Sequence, residues 1–464
     1  MLLRYRSTRG RLVLLTAILG SGMAYLDSTA VNVALPAIDR DLHAGLSGLQ
    51  WILNAYLIAL AALVLPGGSL ADRLGRRRIF LWGLLWFAGA SMICGVAPNA
   101  AVLVAARVLQ GAGAALLVPA SLALVQGTFG EDDRAQAIGA WSGFSGLTTI
   151  VGPVLGGWFS DAVSWRLVFL INPVMAVATG WLAWRSVPDV RDEHARHTDI
   201  AGALAAALGL SGLAYTLIEG PTRGWDQPAV IIAAVLGLLG LVAFVWIEQH
   251  ARTPMLPLRF FHSLRFSGVT AATVTIYFAL GGVMFLLTLQ LQRVLGYSAF
   301  AAGAVLIPVT LMLLMLSPAA GRLASRTGPR LPMTAGPLIA AAGVAWMSGI
   351  RAGVTYPSAI LPPTMLFGLG LALTVAPLTA TAMSALDDEH AGLASGVSNA
   401  VTRAAQLLAV STLPLLAGMS GLTQVGGEEL SDGFMRATWI GAAALVAGAA
   451  IAAVTIRGPL RSKS

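Results

Sequence analysis

The sequence predicts an all-α integral membrane protein with fourteen transmembrane helices, arranged as two six-helix bundles plus an extra central helix pair. Hydrophobic residues make up 57% of the chain and charged residues only 11%, against about 25% charged in an average soluble domain. The apolar residues recur as separate segments of about 20 residues, the length a helix needs to cross about 30 Å of hydrocarbon. Period-2 alternation of the barrel type is absent. Two further observations support the fold class: arginines crowd alternate loops, and the two ends of the chain repeat one another in register.

Apolar runs bounded by charge, Gly or Pro place the first six spans near 12–36, 49–70, 78–97, 100–127, 134–160 and 165–186. A polar linker from Pro188 to Asp199 leads to spans near 200–219 and 228–247, and a second linker runs from about Glu248 to Ser263. The last six spans lie near 265–290, 298–321, 331–350, 357–383, 391–418 and 437–456. Residues 1–187 then form an N-terminal bundle, 188–263 hold the linkers and the extra pair, and 264–464 form a C-terminal bundle.

An even helix number puts both termini on one side. With the termini cytoplasmic, the inner segments carry 21 Lys and Arg and the outer loops only 6, while Arg107 and Arg403 lie inside the membrane. This is the positive-inside pattern. The net charge of +8 therefore sits in short loops and forms no extended basic face, which argues against a nucleic-acid partner. The basic residues Arg4, Arg6, Arg9 and Arg11 precede an apolar stretch too long for a signal peptide, so the first segment is expected to remain as a membrane helix. The single cysteine, Cys94, excludes an internal disulfide and reads as a small apolar residue near a helix end.

The loop between spans two and three runs Gly68-Ser-Leu-Ala-Asp72-Arg73-Leu-Gly75-Arg76-Arg77-Arg78, and Gly321-Arg-Leu-Ala-Ser325-Arg326-Thr-Gly328-Pro-Arg330 matches it 253 residues later. Span four carries Gly111-Ala-Gly113 and Pro119, and its counterpart carries Gly368-Leu-Gly370 and Pro377. Parallel repeats of this kind build transporters whose site lies at the midplane between two moving halves.

These residues resemble the major facilitator superfamily, in particular its 14-helix drug:proton antiporter branch. Gly68–Arg78 is similar to the superfamily's loop between helices two and three. Leu26-Asp27-Ser-Thr-Ala-Val-Asn32-Val-Ala-Leu-Pro36 resembles the branch's acidic helix-one motif, and Arg107-Val-Leu-Gln110-Gly111-Ala-Gly113 its proton-transfer motif. Gly139 with Gly152-Pro153-Val-Leu-Gly156-Gly157 resembles the antiporter motif of helix five, with Thr148 standing where that pattern usually has Gly. The resemblance implies export driven by the proton gradient, with no cofactor and no enzymatic activity.

Asp27 is the one carboxylate placed deep in the bilayer, where an ionised acid needs a partner, water or a proton. It is the candidate proton-coupling group, and its replacement by Asn reads as harmless to folding. Arg107 cannot shed its proton, so it must pair with a carboxylate, carbonyls or water, and the resemblance implies that it controls an acid. Arg403 lies mid-span beside Asn399 and Gln406; it repels a cationic substrate unless paired, and a counter-ion role toward Asp27 is open. Gly68, Asp72, Arg73, Gly75 and Arg76 are candidate gating residues, with Gly75 permitting a tight turn. Gly152, Pro153, Gly156 and Gly157 are expected to bend helix five and form a hinge and seal. Candidate substrate contacts are Asn32, Asn54, Tyr56, Gln110, Trp141, Ser145, Tyr277, Phe285, Asn399 and Arg403.

His194 and His197 lack the further ligands a metal site needs, and no phosphate loop or nucleophile set is present. Glu131, Asp132 and Asp133, and equally Asp387, Asp388 and Glu389, read as partners of helix N-terminal dipoles. The reading is a monomeric, multi-pass exporter in a bacterial inner membrane, whose partners are protons, lipid and a small amphipathic substrate. The rival readings are a proton-coupled uptake symporter and a polytopic enzyme or receptor.

Overall fold

A chain in hydrocarbon must pair its backbone groups within itself, and each apolar run here does so as a helix. The computed structural model describes residues 3–188, 199–251, 254–385, 391–419 and 427–456. The acidic run 387–389, the histidine pair and the basic tail lie outside these. The helices are α1 (Thr8–Leu42), α2 (Gly45–Leu74), α3 (Arg76–Gly95), α4 (Ala100–Thr128), α5 (Glu131–Ala162), α6 (Leu167–Ser186), α7 (Ile200–Arg223), α8 (Pro228–His250), α9 (Leu264–Val294), α10 (Ala299–Thr327), α11 (Arg330–Gly349), α12 (Tyr356–Ser384), α13 (Ala391–Leu416) and α14 (Gly427–Thr455).

Among the described residues, thirteen of these are long and apolar enough to cross a membrane. The remaining one, α13, is 26 residues long and carries Asn399, Arg403 and Gln406 at its centre; it packs between α9 and α2. The final helix starts ten residues before its expected beginning. Gly427–Phe434 is polar on one side but buries Leu430 and Phe434 on the other, and Glu428 and Glu429 in the first turn favour its N-terminal dipole.

Packing partners repeat between the ends of the chain. Helix α1 lies against α5 and α6, α2 against α4, and α3 against α4 and α6. Likewise α9 lies against α13 and α14, α10 against α12, and α11 against α12 and α14. The two sets meet at α2–α13 and at α5–α10. Helix α7 packs on both α2 and α13, covering their seam with Leu210, Ala214 and Ile218, which join a cluster containing Leu57, Leu60 and Leu407. The Nε1 of Trp51 on α2 donates to buried Glu219 on α7 at 2.8 Å, tying the extra pair to α2.

The sets are fastened to each other at the face carrying the α1–α2 loop. Arg293 pairs with Asp39 at 2.6 Å, and Gln292 Nε2 donates to Val33 O at 2.9 Å. Both Asp161 carboxylate oxygens accept backbone N–H groups at the start of α10, from Ala299 at 3.0 Å and Phe300 at 2.8 Å. Across the seam, Gln50 Nε2 donates to Val410 O at 2.6 Å and Asn54 Nδ2 to Ser411 Oγ at 2.9 Å. At the other face, Gly139 and Gly143 of α5 and Gly321 of α10 have open space where a Cβ would project.

Candidate functional site

Asp27 sits at the middle of α1 with no solvent exposure. Its Oδ2 accepts from Arg107 Nη1 at 2.6 Å, and its Oδ1 accepts from Gln110 Nε2 at 2.8 Å and from Asn172 Nδ2 at 2.9 Å. Helices α1, α4 and α6 thus converge on one carboxylate. Ser91 of α3 closes the ring, its Oγ accepting from Gln110 Nε2 at 2.7 Å and Asn172 Nδ2 at 3.2 Å.

Arg107 is fully buried and fully engaged. Besides Asp27, its Nη1 donates to Gln110 Oε1 at 2.6 Å and its Nε to Ile52 O at 3.1 Å. Its guanidinium lies 4.2 Å from the centre of the Tyr56 ring, a cation–π contact that desolvation strengthens. A buried pair with its hydrogen bonds satisfied is tolerated, whereas removing one partner costs about 3–5 kcal/mol. The counter-ion of Asp27 is therefore Arg107, and the open assignment of that role to Arg403 is not what the structure adopts.

The candidate substrate contacts divide into groups. Tyr56 and Gln110 belong to the Asp27 network. Phe285 is 1% exposed and packed into the hydrophobic core, and Tyr277 lies partly buried at its edge. Trp141 Nε1 donates to Ser21 Oγ at 3.2 Å. Asn32 Oδ1, Asn54 Oδ1 and Ser145 Oγ are buried without a hydrogen-bond partner. Asn399 and Arg403 are half-buried on α13. Three residues that the sequence reading did not single out belong with these: Ser91 and Asn172 in the network, and Tyr25, whose ring lies 5.7 Å from the Arg403 guanidinium. Asn172 carried a signal, being an amide directly before Pro173 in the middle of an apolar helix.

The gating candidates form a joint at the α2–α3 turn. Gly75 has φ +107, and its counterpart Gly328 has φ +83, a region that glycine enters without strain. Asp72 pairs with Arg76 at 3.0 Å, and Arg76 Nη1 also donates to Ala123 O near the end of α4 at 3.0 Å. Gly68 on α2 lies near Pro119 of α4, and Arg73 is exposed. Asp72→Ala is expected to slow turnover about fivefold, the equivalent of about 1 kcal/mol, while substrate affinity and melting temperature stay near wild type because the pair is partly exposed. Separate measurement of Vmax and Kd checks this, and wild-type turnover would remove the gating role.

Helix α5 is continuous from Glu131 to Ala162 and carries Pro153 within it. What the glycines provide is close approach. A Cβ on Gly156 would stand 2.6 Å from Ala30 O of α1, and one on Gly157 would stand 2.4 Å from Ala299 O of α10. A Cβ on Gly152 would stand 2.0 Å from Thr29 Oγ1, and Pro153 O faces Gly303 of α10. Thr148 is accommodated opposite Gly22 of α1, where a Cβ would meet its methyl at 2.9 Å.

Comparison with known proteins places this geometry. Residues 17–410 match the sequence profile of the Major Facilitator Superfamily. The multidrug resistance protein Stp of Mycobacterium tuberculosis is 36% identical over 390 residues, 84% of this chain and 72% of that protein. The tetracenomycin C resistance and export protein of Streptomyces glaucescens is 35% identical over 408 residues, 87% of this chain and 75% of that one. Among solved structures, a bacterial homologue of the human lysosomal transporter Spinster, in an inward-facing and unoccupied conformation, shares the fold with a TM-score of 0.69 at 17% identity, covering 97% of each chain.

Proposed function

Because the chain belongs to the major facilitator superfamily, a family of membrane transporters, we propose that it is a proton-coupled exporter of amphipathic small molecules such as drugs, biocides or secondary metabolites. It works as a monomer, by alternating access, in a bacterial inner membrane with both termini in the cytoplasm. The names of the relatives support the direction and the substrate range, as a multidrug resistance protein and a resistance and export protein.

The observation that carries the coupling is the donor set around Asp27. Three donors and no acceptor point at this carboxylate, which is the arrangement of an ionised acid. A protonated acid needs an acceptor for its O–H. Asn172 offers one, since its Oδ1 is buried without a partner and a turn of the amide brings it to face Asp27. Proton binding then loosens the hold of Arg107 and Gln110, and proton release restores it. The network links α1, α3, α4 and α6, so the change is felt across residues 1–187.

With the termini cytoplasmic, the fastened α1–α2 face is the outer one, and this conformation faces inward with its proton released. Arg166, Arg223, Arg293 and Arg351, all assigned to the outer side, are each paired with an acid. Residues 1–187 and 264–464 rock about the midplane, and α7 and α8 travel with α2 across the seam.

The test is transport in everted vesicles carrying the full chain. A proton gradient is expected to drive accumulation of an amphipathic fluorescent dye, and dye addition is expected to dissipate part of the gradient. Accumulation that survives a protonophore, or net flux in the opposite direction only, would refute the proposal.

A further inference from the structure

Two arginines lie in the middle of this membrane protein, and their surroundings differ. Arg107 is balanced by Asp27 and also donates to Ile52 O and Gln110 Oε1. Arg403 is half-buried, and among the described residues no carboxylate lies within ion-pair distance of it. Among the described residues, the acceptor that reaches its guanidinium is Gln406 Oε1, at 3.2 Å from Nη1. A guanidinium cannot be neutralised by losing its proton, and an uncompensated charge at mid-membrane is costly. Such a group persists where it has work to do.

Its neighbours are aromatic. The Tyr25 ring on α1 lies 5.7 Å away. Tyr277 on α9 lies one turn before Gly281, whose Cβ position is 3.1 Å from Gln406 Cα, so α9 presents it alongside Arg403. Tyr25 is two residues from Asp27 on α1, so the helix that carries the coupling acid also carries an aromatic neighbour of the second arginine. Unpartnered polar oxygens of Asn32, Asn54 and Ser145 lie on the adjoining helices. A charged head with aromatic walls suits a flat, negatively charged amphipath.

We infer that Arg403 is the counter-ion of the substrate, and that the exporter selects anionic aromatic amphipaths bearing a carboxylate, sulfonate or phenolate. This rests on the transport reading above and adds the charge of the cargo. The electrical consequence follows directly: an anion leaving and a proton entering both move positive charge inward, so an inside-negative potential drives both.

The experiment compares two dyes with one xanthene scaffold, anionic fluorescein and cationic tetramethylrhodamine methyl ester, at mildly alkaline pH. Equilibrium binding to the purified full chain in detergent needs no coupling, so it separates this inference from the transport proposal. Wild type is expected to bind fluorescein at least about tenfold more tightly than the cationic dye. Arg403→Gln is expected to lose at least about tenfold in fluorescein affinity and to gain affinity for the cationic dye, with Arg403→Lys intermediate. Tighter binding of the cationic dye by wild type, binding of neither dye, or wild-type fluorescein affinity in Arg403→Gln would overturn the inference. Charge-selective binding without gradient-driven flux would instead count against the exporter reading alone.

Discussion

Asp27→Asn is expected to abolish gradient-driven export and, in addition, to destabilise the protein by about 3–5 kcal/mol, because it strands a buried guanidinium. The donor set around Asp27 is the reason to expect a cost in stability as well as in coupling. An asparagine can keep its acceptor oxygen on Arg107 Nη1 but then turns an N–H₂ toward Gln110 Nε2 and Asn172 Nδ2, which are themselves donors, and it no longer carries the charge that balances Arg107. The physical separation of the two effects comes from the double variant Asp27→Asn/Arg107→Gln, which removes both charges. It should recover most of the lost melting temperature and none of the coupling. Thermal melting of purified protein, with proton-driven dye accumulation in vesicles, reads the two independently. Uphill export at wild-type rates by the single variant would end the coupling role of Asp27.

The second large effect is expected at the α5–α10 crossing, where adjacent glycines should give different phenotypes. Gly156 faces the backbone of α1, a partner within the same packing set, whereas Gly157 faces the backbone of α10 in the other set. Gly156→Leu therefore overpacks the interior and lowers the melting temperature. Gly157→Leu leaves each set intact but penalises fastening of the α1–α2 face by about 1–3 kcal/mol, which depletes that conformation about 5- to 150-fold. Turnover falls by at least about tenfold, and spin labels on the α1–α2 and α9–α10 loops report longer distances. A Gly157→Leu protein with wild-type turnover and label distances would show that the close crossing is not needed for the cycle.

The contrast between neighbouring glycines shows where sequence reading stopped. The motif Gly152-Pro153-Val-Leu-Gly156-Gly157 announced small residues on one helix, and close approach was the right physical use for them. The helix also continues through Pro153 without interruption. Which partner each glycine meets depends on rotation about the helix axis and on the neighbour brought against it. Neither quantity is local.

Helix number, order and approximate ends followed from the sequence because hydrophobic thickness imposes a length and arginine placement marks alternate loops. The end of the chain was the exception: the polar start of α14 is stabilised by burial of Leu430 and Phe434, which a hydropathy run does not register. Asp27, Arg107 and Arg403 stood out because charge in an apolar span is expensive wherever it occurs. The tertiary structure alone decided their pairing. It gave Asp27 to Arg107, added Asn172 and Ser91 from two other helices, and left Arg403 facing Tyr25. Residues as distant in the chain as Asp27 and Asn172, 145 positions apart, meet only when the helices are assembled. Local sequence specifies the cost of burying a charge, but the arrangement of neighbouring helices determines what offsets it.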